Sequence, residues 1–223
     1  MNGANATLGA RAADGSVVGL SADLGKFIAA RLDMPYEAVV YAGSADYTAS
    51  FGKGEWDIIV TGRNPFAEKM VEFMPEVILI EYVYVAAPGR AFADSSEVDR
   101  AGVTIGVPRN ASADAYLTPR LKSAALVRAA GNVDAAIELL STGKADVYAS
   151  GTDGAHLITA RLPGAKIVPP PFHTVSFAVA IPKDRSPAAQ SKMRQLVDEA
   201  KAAGIVQKAI ESAGLKGVQV APN

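Results

Sequence analysis

One phrase occurs twice in this chain. Gly54-Glu55-Trp56-Asp57-Ile58-Ile59-Val60-Thr61-Gly62 returns as Gly143-Lys144-Ala145-Asp146-Val147-Tyr148-Ala149-Ser150-Gly151. Each copy reads Gly, two residues, Asp, three largely apolar residues, a hydroxyl and Gly. A helix-like stretch precedes each, at 45–52 and at 134–142. A helix that stops on Gly and feeds a short apolar run is a helix leading into a buried strand. The strand then ends on a hydroxyl and a bare backbone. In open α/β sheets ligands sit beyond the C-terminal ends of strands. Two such ends predict two α/β lobes that face each other across one small-molecule cleft.

Composition narrows the field. At 223 residues, 49% hydrophobic and 20% charged, the chain can bury one large core or two of moderate size. A net charge of -1 and the lack of any Lys/Arg run give no footprint for nucleic acid. No apolar stretch reaches the roughly 18 residues of a membrane helix. With no cysteine and only His156 and His173, thiol chemistry is excluded, and neither a metal nor a cofactor is expected. The first residues, Met1-Asn2-Gly3-Ala4-Asn5, have neither the basic start nor the apolar core of an export signal.

Periodicity supplies the elements. Asp14-Gly15 marks a turn, and 21–32 has helical spacing with Ser21 as its expected cap. Strands are expected at 36–41, 57–61, 77–86, 103–107, 125–128, 146–150 and 176–181. Further helices are expected at 112–121, 134–141, 152–162, 188–203 and 205–213, the last two broken at Gly204. Pro169-Pro170-Pro171 reads as a turn. Alternating strands and helices predict parallel sheets; one continuous doubly wound sheet is the competing arrangement. The β-rich runs at 77–86 and 176–181 bracket the second half, as two hinge strands between lobes would.

Several stretches, in this order and spacing, carry a resemblance. They are Asp14-Gly15-Ser16-Val17-Val18-Gly19 with Ser21-Ala22-Asp23-Leu24, the first repeated phrase, and Ala67-Glu68-Lys69-Met70-Val71-Glu72-Phe73-Met74-Pro75. Ile105-Gly106-Val107 with Asn110-Ala111-Ser112-Ala113 follows, then 139–151 and 177–183. Over nearly its whole length the chain resembles the extracellular solute-binding proteins of ABC transporters, in the branch that includes amino-acid binders. The resemblance implies a type II periplasmic binding fold: two Rossmann-like α/β lobes joined by two hinge strands. Lobe 1 would comprise 1–86 and 177–223, and lobe 2 would comprise 87–176. It implies a periplasmic monomer without catalysis that delivers its ligand to a membrane permease. An enzyme on the same fold, such as a cyclohexadienyl dehydratase relative, and a receptor's sensing domain are the alternatives.

The departures from that family bear on the ligand. Where its amino-acid binders carry an Arg for the α-carboxylate, this chain has Lys69. Where they carry an Asp for the amine, it has Gly151, with Asp153 two residues on. The family's first strand, before the position of Asn5, is almost absent, so the first sheet is expected to be one strand short. A ligand that is small, polar and carboxylate-bearing, but no plain α-amino acid, is expected.

The residues themselves supply candidates. Arg63, just past a strand end, can take a carboxylate by two parallel hydrogen bonds, or pair with Glu68 or Glu72. Thr61 and Ser150 share the repeated strand-end position, where each either meets a ligand or caps a turn. Asn110 and Ser112 open a helix whose free N–H groups suit an anion, although Ser112 can also simply cap it. Glu81 interrupts an apolar strand and faces either the cleft or solvent. Asn5, with Asn2 and Thr7 beside it, offers amide groups to a polar ligand, and Asp153 offers a carboxylate to an amine. His173 and Lys69 complete the set, and Tyr82 and Tyr84 read as core.

Overall fold

The computed structural model describes residues 1, 8–12 and 14–222. A small hairpin, β1 (Ala10–Arg11) and β2 (Val17–Val18), turns at Asp14-Gly15, where the Asp14 carboxylate accepts from the Ser16 amide at 2.9 Å. Helix α1 (Leu20–Arg31) follows, burying Leu20, Leu24 and Ile28. Its cap is Gly19 rather than the expected Ser21. Gly19 has φ 106, and a Cβ there would stand 2.8 Å from the Gly9 backbone, so close packing of two chain segments sets this helix start. The expected strand at 36–41 is extended chain; Tyr41 alone is bridged, its amide donating to the Met1 carbonyl at 3.0 Å. The Met1 amine in turn donates to the Val39 carbonyl, so this extended segment runs beside Met1.

Next come α2 (Ser44–Ala49), β3 (Ile59–Gly62), α3 (Pro65–Met70) and the 16-residue β4 (Val71–Ala86). A single 3-10 turn at Ser95–Val98 leads to β5 (Thr104–Pro108), α4 (Ser112–Leu117), β6 (Ala125–Ala129), α5 (Val133–Ser141), β7 (Val147–Gly151) and α6 (Thr152–Arg161). The chain returns on the 17-residue β8 (Lys166–Pro182) and ends with α7 (Pro187–Ala202), α8 (Ile205–Ser212) and β9 (Val218–Val220). Gly204, at φ 72, is the left-handed break between the last two helices.

Strand order is β3-β8-β4-β7-β5-β6, with β9 also on β4. Only β5, β6 and β7 run parallel; β3, β9 and the long pair β4 and β8 are antiparallel. The all-parallel expectation therefore holds for the second lobe and fails along the hinges. Both copies of the repeated phrase lie in one hydrogen-bonded network, attached at opposite ends of the long pair. β3 pairs with Phe177–Ala180 of β8, while β7 pairs with Tyr82–Ala86 of β4. Two lobes share two crossing strands, as the fold class requires.

The proline run is not a turn. It lies inside β8, where Tyr82 pairs with His173 and Tyr84 with Val168, so Pro169 to Phe172 bulge out opposite Val83. Proline has no N–H to give a ladder, and a bulge is where a strand tolerates it. The bulge stacks Phe172 on Tyr84 at 4.3 Å and His173 on Tyr116 of α4 at 3.8 Å.

Period-two alternation sorts the core. Ile78, Ile80, Tyr82 and Tyr84 of β4 enter a cluster that spans both lobes, from Leu24 and Val197 to Ile105 and Leu117. Val83 and Val85 point the other way, against Leu139, Ala155 and Ile158 of α5 and α6. Ile59, Phe73, Ala178 and Ala180 pack instead against Tyr47, Phe51 and Ala67. Helices thus cover both faces of the sheet at each end.

Candidate functional site

A cleft of about 70 Å³ lies beyond the C-terminal ends of the parallel strands. β5 contributes Pro108, and the loop after it Ala111; β7 contributes Ser150 and Gly151, and α6 gives Asp153 and Gly154. The turn from β6 into α5 supplies Gly131, at φ 82, and Asn132, whose side-chain oxygen caps α5 by accepting from the Ala135 amide at 2.8 Å. Tyr82 enters from the hinge strand β4, and Ser44 from α2 of the other lobe.

The lobes touch around this cleft. The Ala45 amide donates to the Ala130 carbonyl at 3.1 Å, and the Ser44 hydroxyl to the Gly131 carbonyl at 3.4 Å. On the other side of Tyr82, Gly62 at the end of β3 meets Ser112. A Cβ on Gly62 would stand 2.3 Å from the Ser112 Oγ, so only glycine allows this approach. The cleft is well below the roughly 300–1,000 Å³ of a typical ligand pocket.

Its chemistry is mixed polar and apolar, with a single carboxylate among the described lining residues. Ser112 stands beside the Tyr82 phenol, which burial first and the neighbouring Asp153 second push well above the usual phenol range. Asp153 Oδ1 stands 2.8 Å from the position of a Cβ on Gly151, so glycine leaves it room at the strand end. Tyr148 brings a second buried phenol to the wall. Among the described residues that line the cleft, Asp153 is the one ionic group; no Lys, Arg or His is among them. No group of three or more His, Asp or Glu side chains gathers as a metal site among the described residues.

The structure distributes the expected site residues unevenly. Ser150 and Asp153 line the cleft, and Ser112 is one contact behind it through Tyr82. Thr61 is 6% exposed and lies beside the Tyr47 phenol, which donates to the Val60 carbonyl at 2.6 Å, so it is buried in the first lobe. Arg63 turns back along β4, its guanidinium 4.6 Å from the Phe73 ring centre, 3.4 Å from the Met74 carbonyl and 3.7 Å from Glu76. Its partner is thus neither Glu68 nor Glu72. Glu81 lies on the β4 face opposite Tyr82, its backbone bonded to Gly217 and Thr152. Asn110 is exposed in a left-handed turn at φ 58, and its amide donates to Asp114. Lys69 is exposed near the end of α3, and His173 is stacked on Tyr116. Asn2, Asn5 and Thr7 lie outside the described residues.

Several wall residues escape a reading of the sequence. Ser44, Gly131 and Asn132 look like ordinary helix-capping and turn residues. Tyr148 hides in an apolar run, where its one signal is a hydroxyl at the position that Ile59 fills in the first copy. Tyr82, which reads as core, lines the cleft as well.

No protein-family model and no curated protein sequence matches the chain. Solved structures do. The solute receptor for L-cysteine of Neisseria gonorrhoeae superposes with a TM-score of 0.82 at 16% identity, over 100% of this chain and 94% of that one. The fold is that of the type II periplasmic binding proteins. A histidine kinase sensor domain with similarity to periplasmic binding proteins gives 0.81 at 16% identity, over 99% and 95% of the two chains. An ancestral amino-acid-binding protein, AncCDT-1, a precursor of cyclohexadienyl dehydratase, gives 0.77 at 18% identity, over 95% and 92%. The type II periplasmic binding fold thus serves transport, sensing and the ancestry of an enzyme, and the function of this chain has to be argued from its own cleft.

Proposed function

We propose that the chain is a solute-binding protein. It captures a small polar molecule between lobe 1 (1–86 and 177–223) and lobe 2 (87–176) and hands it to an ABC transporter permease from the periplasm. The observation that carries this reading is the placement of the cleft. It sits at the ends of three parallel strands, and a second lobe reaches it through Ser44 and Ala45, which bond to Gly131 and Ala130.

The wall favours an amine-bearing solute over a simple carboxylate. Asp153 supplies the one carboxylate among the described lining residues, and Arg63, the sequence's candidate for an anion, lies outside that lining, against Phe73, Met74 and Glu76. A carboxylate on the solute would meet hydroxyls and backbone amides only. Binding without turnover fits the same wall. General acid–base work needs two groups within reach of the substrate; of the other two candidates, His173 is held on Tyr116 and Glu81 lies on the β4 face opposite Tyr82.

The test is mass spectrometry of small molecules released when the purified protein is denatured, with a thermal-shift screen of amines, amino acids and organic acids alongside. A solute at a hundred times its dissociation constant stabilises the fold by about 2.7 kcal/mol. Release of an amine-bearing molecule that also shifts the melt supports the reading. A screen in which nothing shifts the melt, or in which product accumulates, refutes it.

A further inference from the structure

The cleft has a polar mouth and an apolar floor. Ser44, Asn132, Ser150 and Asp153 are half-buried at the mouth, while Ala136, Tyr148 and Ile158 are buried beneath them. Tyr148 is the floor residue with a polar tip. It is 3% exposed, and its hydroxyl has no hydrogen-bond partner among the described residues. The ring packs over Gly106 of β5, where a Cβ would stand 2.6 Å from the ring's Cδ2 and 3.2 Å from Leu139 of α5. Wedged in this way, the ring cannot swing out to find water. Burial keeps the phenol protonated, so it can both donate and accept.

A phenylalanine would fill the same space without burying an unbonded hydroxyl, which is costly in a folded chain. The first copy of the repeated phrase has Ile59 at this position, fully apolar in the core of its own lobe. The strand therefore has no need of the hydroxyl. Ser21 and Tyr36 also bury a hydroxyl without a partner among the described residues, but Tyr148 is the one of the three that lines the cleft.

Resting on the solute-binding reading above, we propose that Tyr148 is the inner recognition group of the cleft. Its hydroxyl bonds the polar end of a two-ended solute whose amine head lies at Asp153, and the short carbon chain between them rests on Ala136 and Ile158. Selectivity follows from the unpaired hydroxyl. A solute with a hydrogen-bonding end satisfies it, and an apolar analogue of equal size leaves it buried and unpaired.

The test uses size-matched probes: ethanolamine against propylamine, threonine against valine, and 4-amino-1-butanol against pentylamine. Thermal shift and calorimetry are run on the wild-type chain and on Tyr148→Phe. The polar member of at least one pair is expected to bind the wild type about tenfold tighter than its partner. That preference should collapse in Tyr148→Phe, and the ligand-free variant should melt no lower than wild type. Probes that bind without distinguishing polar from apolar ends, or a preference that survives Tyr148→Phe, overturn the subsite and leave solute binding standing. So does a ligand-free Tyr148→Phe that melts well below wild type, because the hydroxyl would then hold the fold. If no probe shifts either protein, the solute-binding reading fails and the subsite goes with it.

Discussion

Gly62 and Ser112 touch across the lobes, and the contact exists because position 62 has no side chain. A Cβ there would press on Ser112 Oγ at 2.3 Å, with Val175 and Phe177 tight at 3.2 and 3.3 Å. Gly62→Ala should therefore hold the lobes apart, enlarge the ligand-free radius of gyration in small-angle scattering and weaken solute binding. Ser112→Ala in the same chain removes the clashing oxygen and should restore much of the closure, a coupling that independent sites would not show. Asp114 shows a different kind of dependence. It is 6% exposed, and it accepts from Arg128 at 3.0 Å, the Asn110 amide at 3.0 Å and Thr118 at 2.8 Å. Burial alone would raise its pKa, but the bonds from Arg128, Asn110 and Thr118 outweigh that and hold it below the ordinary 3.8. Because the folded value is depressed, the stabilisation is present above the unfolded value and is lost as pH falls through the folded one. Urea melts of the wild type should weaken below about pH 4, and Asp114→Asn should flatten that acid limb. At pH 7, Asp114→Ala should cost about 2–3 kcal/mol, since a charged hydrogen-bonding group is lost and Arg128 is left without it.

At the scale of elements, the repeated phrase is a turn device as much as a strand. Gly54 and Gly143 open the two copies at φ 72 and 71, and nothing lies within 4 Å of a Cβ at either position. The space is free, so the penalty for a side chain is purely conformational. Gly54→Ala and Gly143→Ala should each destabilise the fold by about 1–2 kcal/mol, with Asn tolerated better, as read from the midpoint of urea unfolding. The phrase was legible because its elements are local: a left-handed glycine, a short apolar run and a hydroxyl before Gly. The long strands were legible only in part. Val71 to Pro75 carries Glu72 and Pro75 and has no strand signature, yet it extends β4 because β8 lies beside it and pairs Val71 with Pro182. Pro169 to Pro171 punctuates the sequence, yet a neighbouring ladder absorbs it as a bulge.

For the molecule as a whole, β4 and β8 decide how the lobes communicate. One face of β4 feeds a cluster common to both lobes, and its other face feeds α5 and α6. Neither lobe can lose its half of these strands without exposing core that belongs to the other. Calorimetry should therefore show a single unfolding transition whose calorimetric and van't Hoff enthalpies agree; two resolved transitions would mean that the shared cluster does not couple the lobes. The same view separates the cleft from Arg63, which stays with Phe73, Met74 and Glu76. Arg63→Ala is expected to leave the affinity for a cleft-bound solute within about twofold of wild type, against the at least tenfold loss of a charged hydrogen bond to ligand. Calorimetry with the tightest probe distinguishes the two.

The sequence by itself determined the pieces and their order. Apolar periodicity, left-handed glycines and the hydroxyl-Gly strand ends are properties of neighbouring residues, and they sufficed for two α/β lobes, for a cleft at strand ends, and for Ser150 and Asp153 as candidates to line it. Tertiary structure decided what only distant residues can decide. The side of β4 that meets the cleft depends on the pairing register of its neighbours, which put Tyr82 on the wall and Glu81 behind it. Where Arg63 points depends on Phe73 and Glu76 arriving beside it, and Ser44 joins the wall only because another lobe comes to rest against Ala130 and Gly131. Tyr148 is the sharpest case. Along the chain it is one more large residue in a buried strand, and that its hydroxyl has no partner among the described residues can be seen only when its neighbours have been placed in space.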